Sequence, residues 1–407
     1  MSTTTTTAWF TLPASAPPAA RAVLRALRHL RRGTLDLQLP DGGALQFAGA
    51  TPGPRAALRL RNWDVCAATL RSGDIGFAES YIAGGWSSPD LVALLELFIA
   101  NRDAAERLIY GSWWGSLAYR ARHLLNRNSR RGSRRNIHAH YDLGNAFYAL
   151  WLDETWNYSS AWFDGDRTRS LPEAQQAKVR RALAECGIAP GGRLLEIGCG
   201  WGALAESAAR DFGAHVTGLT LSTEQLAHAR QRLHRAGLAD RADLRLQDYR
   251  DVTDAPFDAI CSIEMVEAVG REYWPGYFRT VHDKLKPGGR ACIQSITIRD
   301  DLFERYARST DFIQQYIFPG GLLPSASAFR AEAAKAGLRV VNELSFGPDY
   351  AETLARWRSA FLQREPQTRR LGFDARFVRT WEFYLAYCEA AFATGNTDVV
   401  QFTLQRP

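Results

Sequence analysis

The chain has 407 residues, of which 46% are hydrophobic and 23% are charged, so it can bury a sizeable core and its length favours two domains. Its formal net charge of +7 favours an anionic partner, either nucleic acid or phospholipid, and charge alone does not separate the two. The six cysteines are scattered without zinc spacing, which predicts no metal site and favours a reducing, cytoplasmic setting, and no apolar run is long enough to span a membrane.

The first third of the chain divides into three segments by composition. Residues 1–18 begin with a threonine run and lack the order of a signal peptide, which predicts a disordered tail. Residues 19–118 predict a small α+β module that associates with lipid or membrane, and residues 119–137 predict a basic linker. This linker is either a solvated loop or a phosphate-binding segment. Within the module we predict a helix at 20–32, a hairpin of strands 34–39 and 44–47, and a helix at 91–100.

Residues 138–407 alternate strand and helix patterns, which predicts an α/β domain with a mostly parallel sheet covered on both faces. We predict strands at 193–197, 215–219, 243–246, 259–263, 290–296 and 399–404. We predict helices at 203–212, 223–236, 274–285 and 377–393 and a short one from Met265. An aromatic-rich helical insertion is expected at 300–323.

The turn after the first of these strands is the most informative segment. Residues 195–202 read Leu-Glu-Ile-Gly-Cys-Gly-Trp-Gly, so Gly198, Gly200 and Gly202 alternate where a strand gives way to a helix. Glycines there let the backbone approach a ligand at the carboxyl edge of the sheet. Glu196 suits a ligand that carries an ammonium group, such as the amino-acid end of S-adenosylmethionine. The alternative is a tight turn without a ligand.

The ends of the next two strands extend this candidate site. Thr220 and Gln225 are neutral but can hydrogen-bond a ribose diol, whereas Ser222 is better explained as the N-cap of the following helix. Asp248 and Tyr249 follow the third strand, where an adenine amine and an adenine face would be contacted.

Several motifs then resemble one family, the cyclopropane-fatty-acyl-phospholipid synthases. They are His140-Tyr-Asp-Leu-Gly-Asn145, Tyr158-Ser159, Thr220-Leu-Ser-x-x-Gln225 and Tyr316-Ile-Phe-Pro-Gly-Gly321, and Gly73-x-x-Gly76-x-x-Glu79-x-Tyr81 resembles the family's N-terminal module. The resemblance implies a class I, Rossmann-like, seven-stranded methyltransferase domain over residues 138–407, with the insertion facing lipid. It also implies S-adenosylmethionine as cofactor, with Tyr158 and Ser159 among its contacts.

The implied chemistry adds a one-carbon unit to a cis double bond and then removes a proton. The cation left on the acyl chain must be kept from water and deprotonated, and the resemblance implies a bound bicarbonate as the base. Residues matched to that centre by motif are Glu267, Tyr350, Ile296, Cys388, Gln294 and Ser160. Gln294 stands where the family has a histidine, and Ser160 where it has a cysteine. Cyclopropane formation is therefore the expected reaction, with a methyl or methylene branch as the alternative.

The expected partners follow from charge and resemblance together. We expect unsaturated phospholipids at an anionic membrane surface, with the protein cytoplasmic and peripheral on the inner face, and the resemblance suggests a homodimer. No nucleic acid is expected, because the chain has neither an RNA-binding module nor an Asn-Pro-Pro-Tyr-type motif. A non-catalytic lipid-binding protein is a further alternative, and the retained site residues argue against it.

Overall fold

The computed structural model describes residue 13 and residues 15–102 and 143–407. Two compact units divide the chain, Met1–Leu117 and Ala118–Pro407. The predicted basic linker lies outside the described residues. Within those ranges no helix combines the length and the hydropathy that a membrane span requires.

The described part of unit 1 contains a four-stranded sheet in the order β2-β1-β3-β4 and three helices. Its elements are α1 (Pro18–Leu27), β1 (Arg32–Gln38), β2 (Ala44–Ala48), β3 (Thr51–Leu60), α2 (Asp64–Ile82), β4 (Trp86–Ser87) and α3 (Leu91–Ala100). Strands β1 and β2 pair antiparallel, so the predicted hairpin is present. The first helix is shorter than predicted, because β1 already begins at Arg32. Ala16, just before α1 and within the predicted tail, is buried.

Strand β3 was not predicted, because its sequence begins Thr-Pro-Gly-Pro and reads as a turn. The strand runs parallel to β1, while its other neighbour β4 pairs only with Arg59 and Leu60. The proline end of β3 therefore has one free edge, where a missing N–H is tolerated.

Unit 2 holds a seven-stranded sheet in the order β10-β11-β9-β8-β5-β6-β7. Its strands are β5 (Arg193–Ile197), β6 (His215–Thr220), β7 (Ala242–Leu246), β8 (Phe257–Ile263), β9 (Leu285–Ile298), β10 (Arg339–Ser345) and β11 (Thr397–Gln405). Its helices are α4 (Asn145–Tyr148), α5 (Leu171–Cys186), α6 (Ala203–Asp211), α7 (Thr223–Arg235), α8 (Trp274–Lys284), α9 (Asp300–Tyr306), α10 (Phe312–Tyr316), α11 (Ala326–Lys335), α12 (Gly347–Gln363), α13 (Glu365–Arg370) and α14 (Ala375–Ala393). Strands β5 to β9 pair parallel and β10 and β11 antiparallel. The predicted class I architecture is confirmed.

Strand β5 is buried on both faces from Leu194 to Ile197, which explains why three of its five residues are large and apolar. Leu195 and Ile197 pack into one hydrophobic cluster, and Leu194 packs into another. Since β5, β6 and β8 are parallel neighbours, the loops after them meet at one edge of the sheet. That edge carries the glycine turn.

Strand β9 starts earlier than predicted and includes the Lys-Pro-Gly-Gly sequence that reads as a preceding turn. The reason is pairing with the end of the chain: Gly288 N donates to Arg406 O, and Arg406 N donates to Gly289 O. Helix α5 was also missed, although its sequence carries start and stop signals. Ser170 and Glu173 form a capping box, and Gly187 ends the helix in the left-handed conformation.

Candidate active site

A cleft lies at the carboxyl ends of β5, β6 and β8. Nine of the ten residues predicted to bind the cofactor line it: Tyr158, Ser159, Glu196, Gly198, Gly200, Thr220, Gln225, Asp248 and Tyr249. Gly202 is the exception, and its role is in packing.

The glycine turn needs glycine for its backbone and for its packing. Gly198, Gly200 and Gly202 have φ of 90°, 49° and 87°, a region that other residues rarely adopt. A Cβ on Gly202 would lie 2.9 Å from the Cβ of Ala229, so this glycine lets α6 approach α7. The turn around Gly200 is open, and among the described residues no atom lies within 4 Å of the position that a Cβ would take there.

Glu196 is a buried carboxylate aimed into this cleft. Its side chain is 3% exposed, and among the described residues its Oε2 atom has no hydrogen-bond partner. Burial raises its pKa to about 8, against the opposing charges of Lys178 and Arg232. An orphaned buried acceptor of this kind fits the ammonium group of S-adenosylmethionine, so the residues present suit that cofactor.

The polar residues after β6 and β7 are held in place by their neighbours. Thr220 Oγ1 donates to Gln225 Oε1 at 2.9 Å, and Ser222 Oγ accepts from the backbone N of Gln225, which confirms its role as a helix cap. Both oxygens of Asp248 accept from the Arg250 side chain, at 2.8 and 2.6 Å. The carboxylate is thereby oriented at the edge of the cleft.

Three of the six residues matched to a bicarbonate centre, Ser160, Gln294 and Tyr350, donate to one protein carboxylate, that of Glu264. Glu264 Oε1 accepts from the backbone N of Ser160 at 2.8 Å and from Gln294 Nε2 at 2.7 Å. Its Oε2 accepts from the hydroxyl of Tyr350 at 2.6 Å. Glu264 also lines the cleft that contains Glu196.

Sequence reasoning missed Glu264. Its backbone has φ of 51°, which is uncommon for a residue other than glycine and marks a constrained position. Burial raises the pKa of its carboxyl, and the bonds from Tyr350, the Ser160 amide and Gln294 and the charge of Lys178 oppose that rise. One signal was available: a second glutamate stands three residues before Glu267 in an apolar stretch.

Glu267 is separate from that set of donors. One of its oxygens accepts from the backbone N of Ile296 and from Ser295 Oγ, and the other is buried without a partner in the part of the chain that the structure describes. Burial and the neighbouring Glu264 raise its pKa to about 8. Of the matched residues, Ile296 therefore contacts Glu267, whereas Ser160, Gln294 and Tyr350 contact Glu264.

Cys388 lies in α14 near the tyrosines of the site. Burial raises the pKa of its thiol, which favours the protonated form over the nucleophilic thiolate. The hydroxyls of Tyr158 and Tyr384 are 2.8 Å apart, and this hydrogen bond links α14 to the segment around Tyr158 that lines the cleft.

A fully buried lysine, also missed, supports the same segment. Lys178 Nζ on α5 donates to Ser159 Oγ, and Gln175 Nε2 donates to Ser159 O at 2.8 Å. Burial lowers the pKa of Lys178 to about 8, and the nearby carboxylates of Glu264, Asp153 and Glu196 oppose this shift.

This sheet, its glycine turn and the buried acid beside it define a class I S-adenosylmethionine-dependent methyltransferase. The family model described as mycolic acid cyclopropane synthetase matches residues 128–402, which is more than half of the chain. The chain belongs to that family.

Relatives span nearly the whole chain. The tuberculostearic acid methyltransferase UfaA1 of Mycobacterium tuberculosis is 42% identical over 403 residues, covering 97% of this chain and 92% of the relative. The cyclopropane-fatty-acyl-phospholipid synthase of Escherichia coli K12 is 33% identical over 373 residues, covering 91% and 92%.

Among solved structures, mycolic acid cyclopropane synthase CmaA1 complexed with SAH and CTAB matches with a TM-score of 0.63. It is 35% identical and covers 67% of this chain and 98% of its own. Coclaurine N-methyltransferase matches with a TM-score of 0.62 at 17% identity, which shows the shared fold alone.

Proposed function

We propose that this protein transfers a one-carbon unit from S-adenosylmethionine to the cis double bond of unsaturated phospholipid acyl chains. We further propose that Glu264, in place of a bound bicarbonate, accepts the proton that leaves. The observation that carries this proposal is the set of three donors, Ser160 N, Gln294 Nε2 and Tyr350 OH, on the Glu264 carboxylate.

The residues divide the work between binding and proton transfer. S-adenosylmethionine, when bound, supplies an electrophilic methyl group. Glu196 holds its ammonium end, while Thr220, Gln225 and Asp248 are placed for the nucleoside. Glu264 faces the same cleft as a fixed anion, which stabilises positive charge on the acyl chain. The π electrons of the double bond would form the new C–C bond as the S–CH3 bond breaks and S-adenosylhomocysteine leaves, which places a positive charge on the acyl chain. A C–H bond of the added methyl then breaks, the proton passes to Glu264, and the electron pair moves to the cationic carbon.

That electron pair can form either of two isomeric products. It closes a cyclopropane ring, or, where a hydride shift has first moved the cation to the carbon that bears the methyl, it forms a methylene branch. Similarity at 42% over 97% of the chain to a methyltransferase named for tuberculostearic acid favours the branch. The ring is the second candidate, supported by the relative from Escherichia coli.

Lipid analysis with a labelled donor tests this function. Purified protein is incubated with vesicles of cis-monounsaturated phospholipid and S-adenosylmethionine that carries a CD3 group. We expect acyl chains to gain one CD2 unit, with one deuteron lost, and deuterium NMR to show an olefinic CD2 signal for the branch or an upfield cyclopropyl CD2 signal for the ring. Fully saturated phospholipid is the control. Equal labelling of saturated chains, or no labelling of either lipid, would overturn the proposal.

We also propose that unit 1 binds an anionic membrane surface peripherally, on the cytoplasmic side. Arg21 and Arg25 on α1 and Arg28 directly after it are exposed, at spacings of four and three, while Ala20 and Leu24 on the helix are buried. Basic side chains near anionic lipid each contribute up to about 1 kcal/mol of binding free energy.

Vesicle sedimentation tests this docking. Binding to vesicles rich in phosphatidylglycerol should fall with salt and in the Arg21→Gln/Arg25→Gln/Arg28→Gln variant, and should be weak for phosphatidylcholine. Binding that ignores both salt and anionic lipid would contradict it. The homodimer implied by the family resemblance stays a prediction, which analytical ultracentrifugation of the full chain tests.

A further inference from the structure

We propose that Arg181 and Gln401 act as positioning residues for the proton acceptor Glu264. They fix the amide of Gln294 in the orientation that donates to that carboxylate, and this role rests on the proposed function. Neither residue lies in a motif that the sequence analysis singled out.

The four side chains form one directed chain of hydrogen bonds across the sheet. Arg181 Nη1 on α5 donates to Gln401 Oε1 at 2.5 Å. Gln401 Nε2 donates to Gln294 Oε1 at 3.0 Å, and these two residues are register partners on β11 and β9. Gln294 Nε2 donates in turn to Glu264 Oε1 at 2.7 Å. Each step therefore delivers a donor to the next acceptor.

The direction of this chain follows from groups that have only one hydrogen-bonding role. A guanidinium only donates, so the amide oxygen of Gln401 must face Arg181. The amide nitrogen of Gln401 must then face the opposite side, where it also donates to the backbone carbonyl of Lys178 at 3.2 Å. With a donor arriving from Gln401, the oxygen of Gln294 is committed, and only its N–H group can face Glu264.

A reversed Gln294 would place an amide oxygen against the carboxylate. Both amides are buried, with Gln294 0% and Gln401 1% exposed, so water cannot compensate. Two acceptors in contact disfavour the ionised form of Glu264, which must be an anion before it can take a proton. The orientation of the Gln401 amide, two hydrogen bonds away from Glu264, thereby sets the fraction of enzyme that is ready to react.

Other charged and titratable groups also surround Glu264, and they must be kept in any test. Lys178 on α5 lowers its pKa, and so does the hydroxyl of Tyr350 on α12. Glu267 interacts with it from the turn after β8. Tyr158 and Cys388 in turn interact electrostatically with Tyr350. Substitutions at Arg181 and Gln401 leave all of these groups in place.

The decisive variant is Gln401→Glu, which still accepts from Arg181 but has no N–H to offer Gln294. We expect the acid limb of the pH–kcat profile to move up by about one unit, so that kcat at a pH on that limb falls about tenfold, since a tenfold change corresponds to one pKa unit. The Kd for S-adenosylmethionine, measured by calorimetry, should stay within about twofold. A role in folding alone would not move the pH profile.

Gln405 offers a matched control on the same strand. Its Oε1 accepts from Arg339 at 2.9 Å and its Nε2 donates to the carbonyl of Gly288 at 3.4 Å, so its amide also bridges an arginine and a carbonyl oxygen, but it is less buried than Gln401 and has no link to Glu264 among the described residues. Gln405→Glu should keep both the kcat and the pH profile of the wild type.

A second pair of variants covers a Gln401→Glu protein that fails to fold. Arg181→Met removes the donor that sets the direction and should shift the acid limb the same way, whereas Arg181→Lys keeps a donor and should restore it. The proposal is overturned if whichever of Gln401→Glu and Arg181→Met folds has the acid limb of the wild type. If the wild type labels no acyl chains at all, the proposed function fails, and the positioning role fails with it for a distinct and visible reason.

Discussion

The cleft is lined by two buried carboxylates, Glu196 and Glu264, that differ in their hydrogen bonding. Glu196 has an oxygen with no hydrogen-bond partner among the described residues, whereas both oxygens of Glu264 accept bonds from Ser160, Gln294 and Tyr350. Burial raises the pKa of each, but only Glu264 of these two has a full set of donors to oppose that rise.

The difference separates binding from catalysis. A carboxylate without a donor gains most when a ligand brings a cation, so Glu196 is suited to recognition. A carboxylate held by three donors is already oriented before any ligand arrives, so Glu264 is suited to stabilise charge and to accept a proton. Each of the following predictions alters one of these two carboxylates.

The largest effect is expected from Glu264→Gln. The amide cannot accept the proton, so kcat for acyl labelling should fall by about 10²- to 10⁴-fold, the range typical of a lost general base. Calorimetry should give a Kd for S-adenosylmethionine within about twofold of the wild type. A variant that retains wild-type kcat would remove Glu264 from the reaction.

Glu264→Gly distinguishes a protein carboxylate from a bound bicarbonate. Glycine tolerates the φ of 51° at this position, and its small size leaves Ser160, Gln294 and Tyr350 free to hold an added anion. We expect bicarbonate to restore part of its activity in a concentration-dependent way, while the wild type is unchanged when bicarbonate is removed. Loss of wild-type activity on removal would point back to the bicarbonate.

Glu196→Gln should act on binding rather than on turnover. Loss of a hydrogen bond to a charged group costs about 1.5–3 kcal/mol, so the Kd for S-adenosylmethionine should rise about 10- to 100-fold. At saturating cofactor, kcat should remain within a few-fold of the wild type. The opposite pattern, an unchanged Kd with a reduced kcat, would contradict the assignment of binding to Glu196 and of proton transfer to Glu264.

The smallest effect concerns stability against pH. The pKa of Glu196 rises from 4.5 to about 8 on folding, so the protonated form is favoured in the folded protein. Its contribution to stability is fully present below pH 4.5 and is lost as pH rises towards about 8. The unfolding temperature of the cofactor-free protein should therefore decline less steeply between about pH 5 and 8 in Glu196→Gln than in the wild type.

Scanning calorimetry at several pH values measures this slope. Glu272→Gln, which changes an exposed carboxylate, should keep the wild-type slope. Saturating S-adenosylmethionine should flatten the wild-type decline, because its ammonium favours the ionised form of Glu196. Parallel slopes for the wild type and Glu196→Gln would refute the prediction.

Local sequence predicted the parts of this protein whose signals are local. The mostly apolar sequence of β5 and the glycines after it predicted both the sheet and the cofactor cleft. Strand burial and left-handed turns each depend on a few consecutive residues, so the local sequence indicates them. The same reasoning found Glu196 and the cap at Ser222. It failed for β3, where two prolines read as a turn, because the pairing of a strand edge depends on distant residues.

Tertiary structure alone decided which carboxylate receives the donors. Motif matching placed Ser160, Gln294 and Tyr350 at one centre, but only folding brings Glu264 between them, from 30 to 104 positions away along the chain. Arg181 and Gln401 are also distant from that glutamate in sequence, and they reach it only through hydrogen bonds. Spacing in sequence predicts neighbours along one strand or helix, whereas the direction of a buried hydrogen-bond chain is set by every element that meets there.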